Sequence, residues 1–456
     1  MLKSRFVKLF TLMTIVLLVA SLILTGCGKS SETGDSSKST DSGQPAQQDT
    51  QDSGSQATSG EQKITVLLPK HEMDTKGFWE KETRQFESES GVKVELINMA
   101  WENVAERVTQ EMAAGGSSYD VVEFDNAWVA KFNKNNWLEP LDGYEGADEI
   151  KNGLLSGLVN KFSIGGKFYG VAWNNDTRFF MYNKKMLEDA GISKPPKTWA
   201  EVKEYSKILQ EKGIAKYGFI DAYPQSQVGV NEITYAIYSF GGNYFDENGN
   251  LIIASDPGVK NALEFLQKGL NEDKFIDPAS LTSDYEAIAN VFFKGDTAFF
   301  LQAWPGVYAY ANDPSVSQIV GQIEVAPYAI GVDEKTNIVL TLPEAMAIPA
   351  TSKNKENAWK YIRYMSSKEF DKRKALEIGA LPIWKELYND PDLLKLYPYW
   401  ENFGKQAENA RGLPDITWYD QFANIIQVEV QNILIGQTSV EDGLKSIEEQ
   451  LKRVME

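Results

Sequence analysis

Aromatic and polar side chains follow three predicted strands, at the point where each strand ends. The flat ring of a tryptophan packs against the apolar face of a small molecule, and carboxylate or amide groups exchange hydrogen bonds with its hydroxyls. These residues are His71, Trp101, Asp125, Asn126 and Trp128. We expect them to bind a ligand. A structural histidine, an Asx turn at Asp125 and core packing of the tryptophans are the alternatives that stay open.

Strands and helices alternate in the segment that positions these residues. Apolar residues at every second position predict strands, and apolar residues on one helical face predict amphipathic helices between them. In chain order the apolar positions are Ile64, Val66 and Leu68; Trp79 and Phe86; Val92, Val94 and Leu96; Val104, Val108 and Met112; Val121 and Val122. This β-α-β-α-β order predicts an α/β fold, with a mainly parallel sheet flanked by helices. Its ligand crevice is expected beyond the carboxyl ends of the strands.

Two later helices carry clear start signals. Thr198 followed by Glu201 has the spacing of a capping box, in which each side chain bonds the other residue's backbone N–H. Ser439 with Asp442 begins a last helix. Its apolar stripe is Val440, Leu444, Ile447, Leu451 and Val454.

Cys27, the only cysteine, ends a short apolar N-terminus. Three basic residues precede an apolar run over residues 9–24, which is the build of an export signal. The sequence Leu-Thr-Gly-Cys at its end resembles the bacterial lipobox, in which a peptidase cuts before the cysteine and the thiol is acylated. We therefore expect a signal peptide over 1–26 and a lipid anchor at Cys27. An uncleaved membrane anchor is the alternative, but sixteen apolar residues are short for a span of about 20.

The next segment, 27–62, joins the lipidated Cys27 to the body. It consists almost wholly of small and polar residues, which cannot bury enough apolar surface to offset the entropy of ordering, so we expect a disordered linker. The remaining chain is longer than a usual single domain, and two lobes are the default expectation.

Charge and composition exclude several classes of partner and site. The net charge is -18, and loss of the three basic signal residues makes the mature chain more acidic still, which argues against binding of nucleic acid. One histidine excludes sites with several imidazoles, and we expect no metal and no cofactor. The segment 246–250 has oxygen donors suited to calcium, but its glycine is misplaced for an EF-hand loop and a hairpin turn explains it better.

Six short motifs follow one another along the body of the chain: AAGGSSYDVV at 113–122, YGVAW at 169–173 with Asp176-Thr177, YNK at 182–184, AGI at 190–192, FKGDTA at 293–298 and IPATSKNK at 348–355. In this order they resemble extracellular solute-binding proteins of ABC importers, in the carbohydrate-binding group that includes maltose-binding proteins (family 1). They cover the whole body. Each is weak alone, and their common order behind a lipobox carries the resemblance.

The resemblance implies a periplasmic-binding-protein-like (type II) fold with two α/β lobes that close on a ligand between them. The segments that cross between the lobes are placed near Val171–Asn174, Leu340–Ala345 and Asn389–Tyr397. Each lobe is then discontinuous: 63–172 plus 346–388 form lobe 1, and 173–345 plus 389–456 form lobe 2.

The same resemblance implies further ligand-binding residues. These are Trp173 at the first crossing, Glu344 at the second, and Asn231, Trp304 and Trp418 in segments that face or contact ligand in similar proteins. The chain departs from its relatives at two places: Ala172 stands where many have proline, and Ala-Trp-Pro at 303–305 stands where many have Gly-Pro-Trp.

The implied function is capture of a sugar outside the cell and its delivery to the permease subunits of an ABC importer. The aromatic content favours an oligosaccharide, and we expect a monomer held at the extracellular face of the membrane by Cys27. Two other classes stay open as alternatives. A secreted glycoside hydrolase would use paired carboxylates across one bond, and a surface adhesin would hold polysaccharide without transferring it.

Overall fold

The computed structural model describes residues 62–456 apart from 72, 75 and 408, and the side chains at 102 and 105 are not described. The predicted signal peptide, Cys27 and all but the last residue of the predicted linker lie outside these described residues. Each helix in the described part is too short or too polar to span a lipid bilayer.

Strands and helices alternate along most of the described chain. The strands are β1 (Lys63–Pro69), β2 (Lys93–Met99), β3 (Val121–Asp125), β4 (Ser163–Ile164), β5 (Lys167–Phe168), β6 (Val171–Asn174), β7 (Phe179–Asn183), β8 (Tyr217–Phe219), β9 (Thr297–Ala303), β10 (Ile323–Val325), β11 (Val339–Leu340), β12 (Glu344–Ala347) and β13 (Ala410–Arg411). The α-helices are α1 (Phe78–Ser90), α2 (Trp101–Ala113), α3 (Val129–Lys134), α4 (Ala147–Gly153), α5 (Ser156–Lys161), α6 (Lys184–Ala190), α7 (Trp199–Glu211), α8 (Gln227–Ser239), α9 (Pro257–Asn271), α10 (Tyr285–Phe293), α11 (Pro305–Ala311), α12 (Lys355–Met365), α13 (Lys368–Ile378), α14 (Pro391–Leu396), α15 (Trp400–Ala407), α16 (Tyr419–Leu434) and α17 (Val440–Met455). Short 3-10 helices cover Pro278–Leu281 and Lys385–Asn389.

The first sheet contains the three predicted strands in parallel. Its order is β2-β1-β3-β12-β6, and β1 pairs parallel with both β2 and β3. Helix α1 connects β1 to β2 and helix α2 connects β2 to β3, which confirms the predicted β-α-β-α-β unit. The predicted apolar positions Ile64, Val66 and Leu68 are buried, but the alternation holds only for the first half of β1, because Leu67 and Pro69 are buried as well. Burial on both faces is typical of a parallel strand flanked by helices. Between β3 and β6 lies β12, which runs antiparallel to both and places Glu344 opposite Asp125.

The second sheet has the order β10-β7-β9-β8. It is more mixed than predicted: β8 pairs parallel with β9, whereas β7 pairs antiparallel with β9 and β10. β7 follows β6 of the first sheet after a short connection, so it enters the second sheet without a preceding helix.

The chain passes from the first sheet to the second between β6 and β7, and it passes back between β11 and β12. These two connections run side by side. The Thr177 hydroxyl lies 2.9 Å from the Thr341 hydroxyl, and the Arg178 N–H donates to the Leu340 carbonyl at 2.8 Å. Further along, α15 returns to the second sheet, where the Phe180 N–H donates to Gln406 Oε1 at 2.7 Å. The exact bounds of the two lobes stay a prediction.

The predicted helix ends are present in the structure. Thr198 and Glu201 form the capping box before α7. Ser439 accepts a hydrogen bond from the Asp442 N–H at the start of α17. Gly91 ends α1 in the left-handed region at φ 71°, a backbone conformation that glycine adopts without steric cost.

Candidate ligand-binding cleft

A cleft of about 560 Å³ lies where the two sheets face each other. The first sheet contributes the residues at its strand ends: Pro69, Lys70, Trp101, Asp125, Asn126, Asn174 and Glu344. The second sheet and its helices contribute the opposite wall, which includes Asp176, Arg178, Gln227, Asn231, Tyr285, Phe293, Trp304 and Tyr310. The expected position of the crevice, beyond the carboxyl ends of the parallel strands, is therefore where the cleft is found.

Six of the ten predicted ligand-binding residues line this cleft: Trp101, Asp125, Asn126, Asn231, Trp304 and Glu344. The other four, His71, Trp128, Trp173 and Trp418, are not among its lining residues. Their placement follows from packing that the sequence does not reveal.

Trp173 is a core residue in this structure. Its side chain is 1% exposed, and its ring packs edge-on against Trp79 and His71, with centroids 5.0 and 5.4 Å away. The indole N–H donates to Glu123 Oε2 at 2.9 Å, and the backbone carbonyl accepts from Lys374 Nζ at 2.8 Å. Trp173 therefore offers no open ring face to a ligand, and it supports the cleft floor from beneath.

His71 lies in the same buried cluster. Its Nδ1 accepts a hydrogen bond from the Met73 N–H at 3.1 Å. Burial and the charge of Lys374 lower the pKa of His71 to about 3, against a smaller raising effect of Asp74. The imidazole is consequently neutral at physiological pH, which agrees with the structural alternative for this residue.

The remaining two tryptophans also pack against protein side chains. Trp128 is buried at the start of α3, where it stacks on Phe132 with the centroids 5.6 Å apart. Trp418 precedes α16 and packs against Phe245 and Phe422. Core packing was the alternative considered for Trp128.

Trp304 stands at the end of β9 and at the N-cap of α11, because Pro305 begins that helix. This explains the Ala-Trp-Pro order, since the proline occupies the first helical position and the tryptophan before it turns to the cleft. Its ring is half-buried against Tyr285 and Phe300, with centroids 5.4 and 5.7 Å away.

A charged and aromatic pair, Arg178 and Tyr285, lies beside Trp304. The sequence already favours a salt bridge within the lobe for Arg178 over pairing with a ligand carboxylate, and the structure agrees, whereas nothing in the sequence pointed to Tyr285. Arg178 forms a 2.7 Å salt bridge with Asp176, and its guanidinium lies over the ring of Tyr285 at 4.5 Å. Burial alone would lower the pKa of Arg178, but Asp176, Tyr285 and Glu232 outweigh it and raise the pKa. Arg178 is therefore a fixed cation in the wall. The Asp-Thr-Arg sequence after the first crossing is the signal that points to it.

Asn231 is held in place by a chain of hydrogen bonds. Its Oδ1 accepts from Gln227 Nε2 at 2.8 Å, and its Nδ2 donates to the Tyr285 hydroxyl at 3.2 Å. Tyr285 in turn donates to Glu232 Oε1 at 3.0 Å. A preorganised amide of this kind loses little freedom when it binds a hydroxyl.

Asp125 lines the cleft and forms an Asx turn at the same time. Its Oδ1 accepts from the Ala127 N–H at 2.7 Å, so the functional and structural interpretations of this residue both hold. Burial raises the pKa of Asp125 to about 7. Burial raises the pKa of Glu123 well above its usual range, and the charges of Glu344 and Asp125 add to this effect. Both carboxyl groups therefore hold a proton more tightly than in water.

The comparison with protein families agrees with this architecture. Residues 72–372 match the family of bacterial extracellular solute-binding proteins. The chain belongs to this family. The solute-binding protein is accordingly not an enzyme, since the family consists of binding proteins.

Relatives with described ligands cover most of the solute-binding protein. A maltotriose-binding protein of Pyrococcus abyssi is 25% identical over 354 residues, which are 75% of this chain and 72% of that protein. A diacetylchitobiose-binding protein of Streptomyces coelicolor, DasA, is 25% identical over 305 residues, 66% of this chain and 68% of that protein. Maltose-bound MalE3 of T. maritima superimposes with a TM-score of 0.78 at 27% identity, covering 86% of this chain and 99% of that structure.

Proposed function

We propose that the solute-binding protein captures an oligosaccharide in the cleft and delivers it to the permease subunits of an ABC importer. The observation that carries this proposal is the pairing of ring faces with fixed polar groups on opposite walls: Trp101 and Asp125 on one side, Trp304 and Asn231 on the other. Ring faces stack on the C–H sides of sugars, and carboxylates and amides bind their hydroxyls. Relatives named for maltotriose, diacetylchitobiose and maltose support the same class of ligand.

The proposed mechanism is closure of the two lobes on the ligand. Contacts from both walls form together only when the cleft is closed, so a ligand that bridges the walls shifts the population toward the closed form. The closed form then presents a combined surface to the permease. We propose the lobe bounds given above for this motion, and a monomeric protein.

The proposal extends to the N-terminus of the chain. We infer that Cys27 carries the lipid that holds the protein at the extracellular face, and that residues 28–62 act as a tether. Random-coil scaling gives such a tether an rms reach of roughly 30 Å, which lets the cleft turn toward solvent or toward the permease.

A thermal-shift screen tests the proposed ligand class. The purified protein is heated with maltotriose, diacetylchitobiose, other oligosaccharides, a polyol and a peptide, because a ligand that binds only the folded state raises its melting temperature. We expect the largest shift with an oligosaccharide. A shift confined to the peptide or the polyol would reject the oligosaccharide proposal, and sugar recovered intact after long incubation would separate binding from hydrolysis.

A further inference from the structure

Three carboxylates meet at the cleft floor, although they come from distant parts of the chain. Glu123 and Asp125 lie on the same face of β3, and the antiparallel register places Glu344 of β12 opposite Asp125. One oxygen atom from each lies within 4.8 Å of the others. We call Glu123, Asp125 and Glu344 the carboxylate cluster.

The Glu123 carboxyl has no cation among its hydrogen-bonded neighbours. Glu123 is fully buried, its Oε2 accepts from the neutral Trp173 indole, and its Oε1 has no hydrogen-bond partner within the described residues. Asp125 accepts hydrogen bonds from the Ala127 N–H and the Asn126 amide, which are neutral, and the charge of Lys161 offsets only part of the effect of burial on its pKa. Buried carboxylates in this arrangement need a proton or a bound cation.

Asn126 supplies a second and independent observation. Its side chain is 3% exposed, and its Nδ2 donates to Asp125 Oδ1 at 3.3 Å, so the amide lies against the carboxylate cluster. Its Oδ1 is buried without a hydrogen-bond partner in the described part of the chain. The carboxamide next to the cluster thus has an oxygen whose hydrogen-bonding capacity is unused within the described residues, and amide oxygens are ligands that hard divalent cations accept.

We propose that the carboxylate cluster and Asn126 Oδ1 bind one calcium ion in the wall of the cleft. Carboxylate and amide oxygens suit calcium better than softer metals. Calcium takes six to eight oxygens at about 2.3–2.6 Å, so ligand oxygens separated by up to about 5 Å can share one ion. The 4.8 Å limit of the carboxylate cluster meets this requirement.

The ion has a route in and positions left for other ligands. Asp125, Asn126 and Glu344 line the cleft, so a cation enters from solvent and keeps coordination positions open on that side. Vicinal hydroxyls of a sugar are oxygen ligands of the kind that fill such positions. This last step rests on the proposed function, whereas the calcium site itself does not.

The test is titration of calcium into the chelator-treated full-length protein by isothermal titration calorimetry, with no sugar present. We expect one ion per chain and a Kd of about 10⁻⁴ to 10⁻³ M, the range of extracellular calcium modules. Terbium serves as a second probe: the Trp173 indole, bonded to Glu123, should sensitise its emission, and calcium should quench it by displacement.

Variants locate the ion. Glu123→Gln should raise the calcium Kd at least tenfold, and Glu344→Gln, at a less buried position, gives the same test if the first variant fails to fold. Asp246→Asn is the matched control, because Asp246 belongs to the other calcium-like segment and its Oδ1 is bonded by the backbone N–H groups of a turn. Absence of saturable calcium binding, as expected if the carboxylate cluster only shares a proton, overturns the proposal. So does calcium binding that Asp246→Asn abolishes while both glutamate variants retain it. Failure of every sugar in the thermal-shift screen would reject the proposed function and leave the calcium result intact.

Discussion

Replacing Trp304 with alanine removes the ring that forms one aromatic wall of the cleft. The ring is half-buried against Tyr285 and Phe300, and part of it lines the cleft. Loss of a stacking surface should weaken ligand binding at least tenfold, which is about 1.4 kcal/mol. The free energy of unfolding should fall by well under the roughly 3–5 kcal/mol that a fully buried tryptophan contributes.

Trp359→Ala is the matched control for this variant. Trp359 is buried on α12, where its indole N–H donates to the Glu145 carbonyl at 2.9 Å, far from the cleft lining. We expect it to lose stability by about 3–5 kcal/mol while the folded fraction binds normally. Ligand affinity is measured by calorimetry, with the oligosaccharide that gives the largest thermal shift. Stability is measured by denaturant unfolding of the apo protein. An unchanged ligand Kd in Trp304→Ala, or a loss of stability equal to that of Trp359→Ala, refutes the assignment of Trp304 to the site.

Three further predictions concern the anchor, the acidic floor and closure. Cys27→Ala should abolish incorporation of labelled palmitate, and continued labelling of the variant would contradict the lipid anchor. Because burial raises the pKa of Asp125 from about 4 to about 7, the folded state holds that proton more tightly, and stability should fall as pH rises through this range. Between pH 5 and 8 in calcium-free buffer, the unfolding free energy of Asp125→Asn should therefore fall by roughly 2–3 kcal/mol less than that of the parent protein. Equal losses in the parent and the variant would disprove this assignment. A Cβ added at Gly306 of α11 would lie 2.0 Å from Sδ of Met73, which follows β1. The two residues belong to different proposed lobes, so unless the Met73 side chain moves, Gly306→Ala should favour a more open form with a larger radius of gyration in small-angle scattering. Met73→Ala should restore the compact form in the double variant, and a Gly306→Ala protein as compact as the parent would show that Met73 does not limit closure.

Local signals predicted the parts of the fold that local forces determine. The capping box at Thr198, the glycine end of α1 and the strand–helix alternation before Asp125 are all present, because each depends on residues close in sequence. The position of the crevice followed from the strand order alone.

Side-chain direction at the site could not be predicted in the same way. Trp101 was predicted from its place after a strand and Trp173 from its place at a crossing between the lobes, yet only Trp101 lines the cleft. Trp173 lies on β6, and its burial depends on Trp79 of α1 and on Glu123 of β3. The carboxylate cluster is likewise invisible in the sequence, because Glu344 joins it only through the pairing of β12 with β3.

The insertion of β12 between β3 and β6 also determines the order in which the protein can fold. The first sheet stays split, with β3 and β6 each lacking a neighbour, until residues 344–347 have been synthesised. Pairings between residues 170 or more positions apart slow folding, because the chain loses the entropy of closing a long loop before these contacts form. Under the proposed export of this chain in extended form, β12 would complete the first sheet only after most of the chain had crossed the membrane.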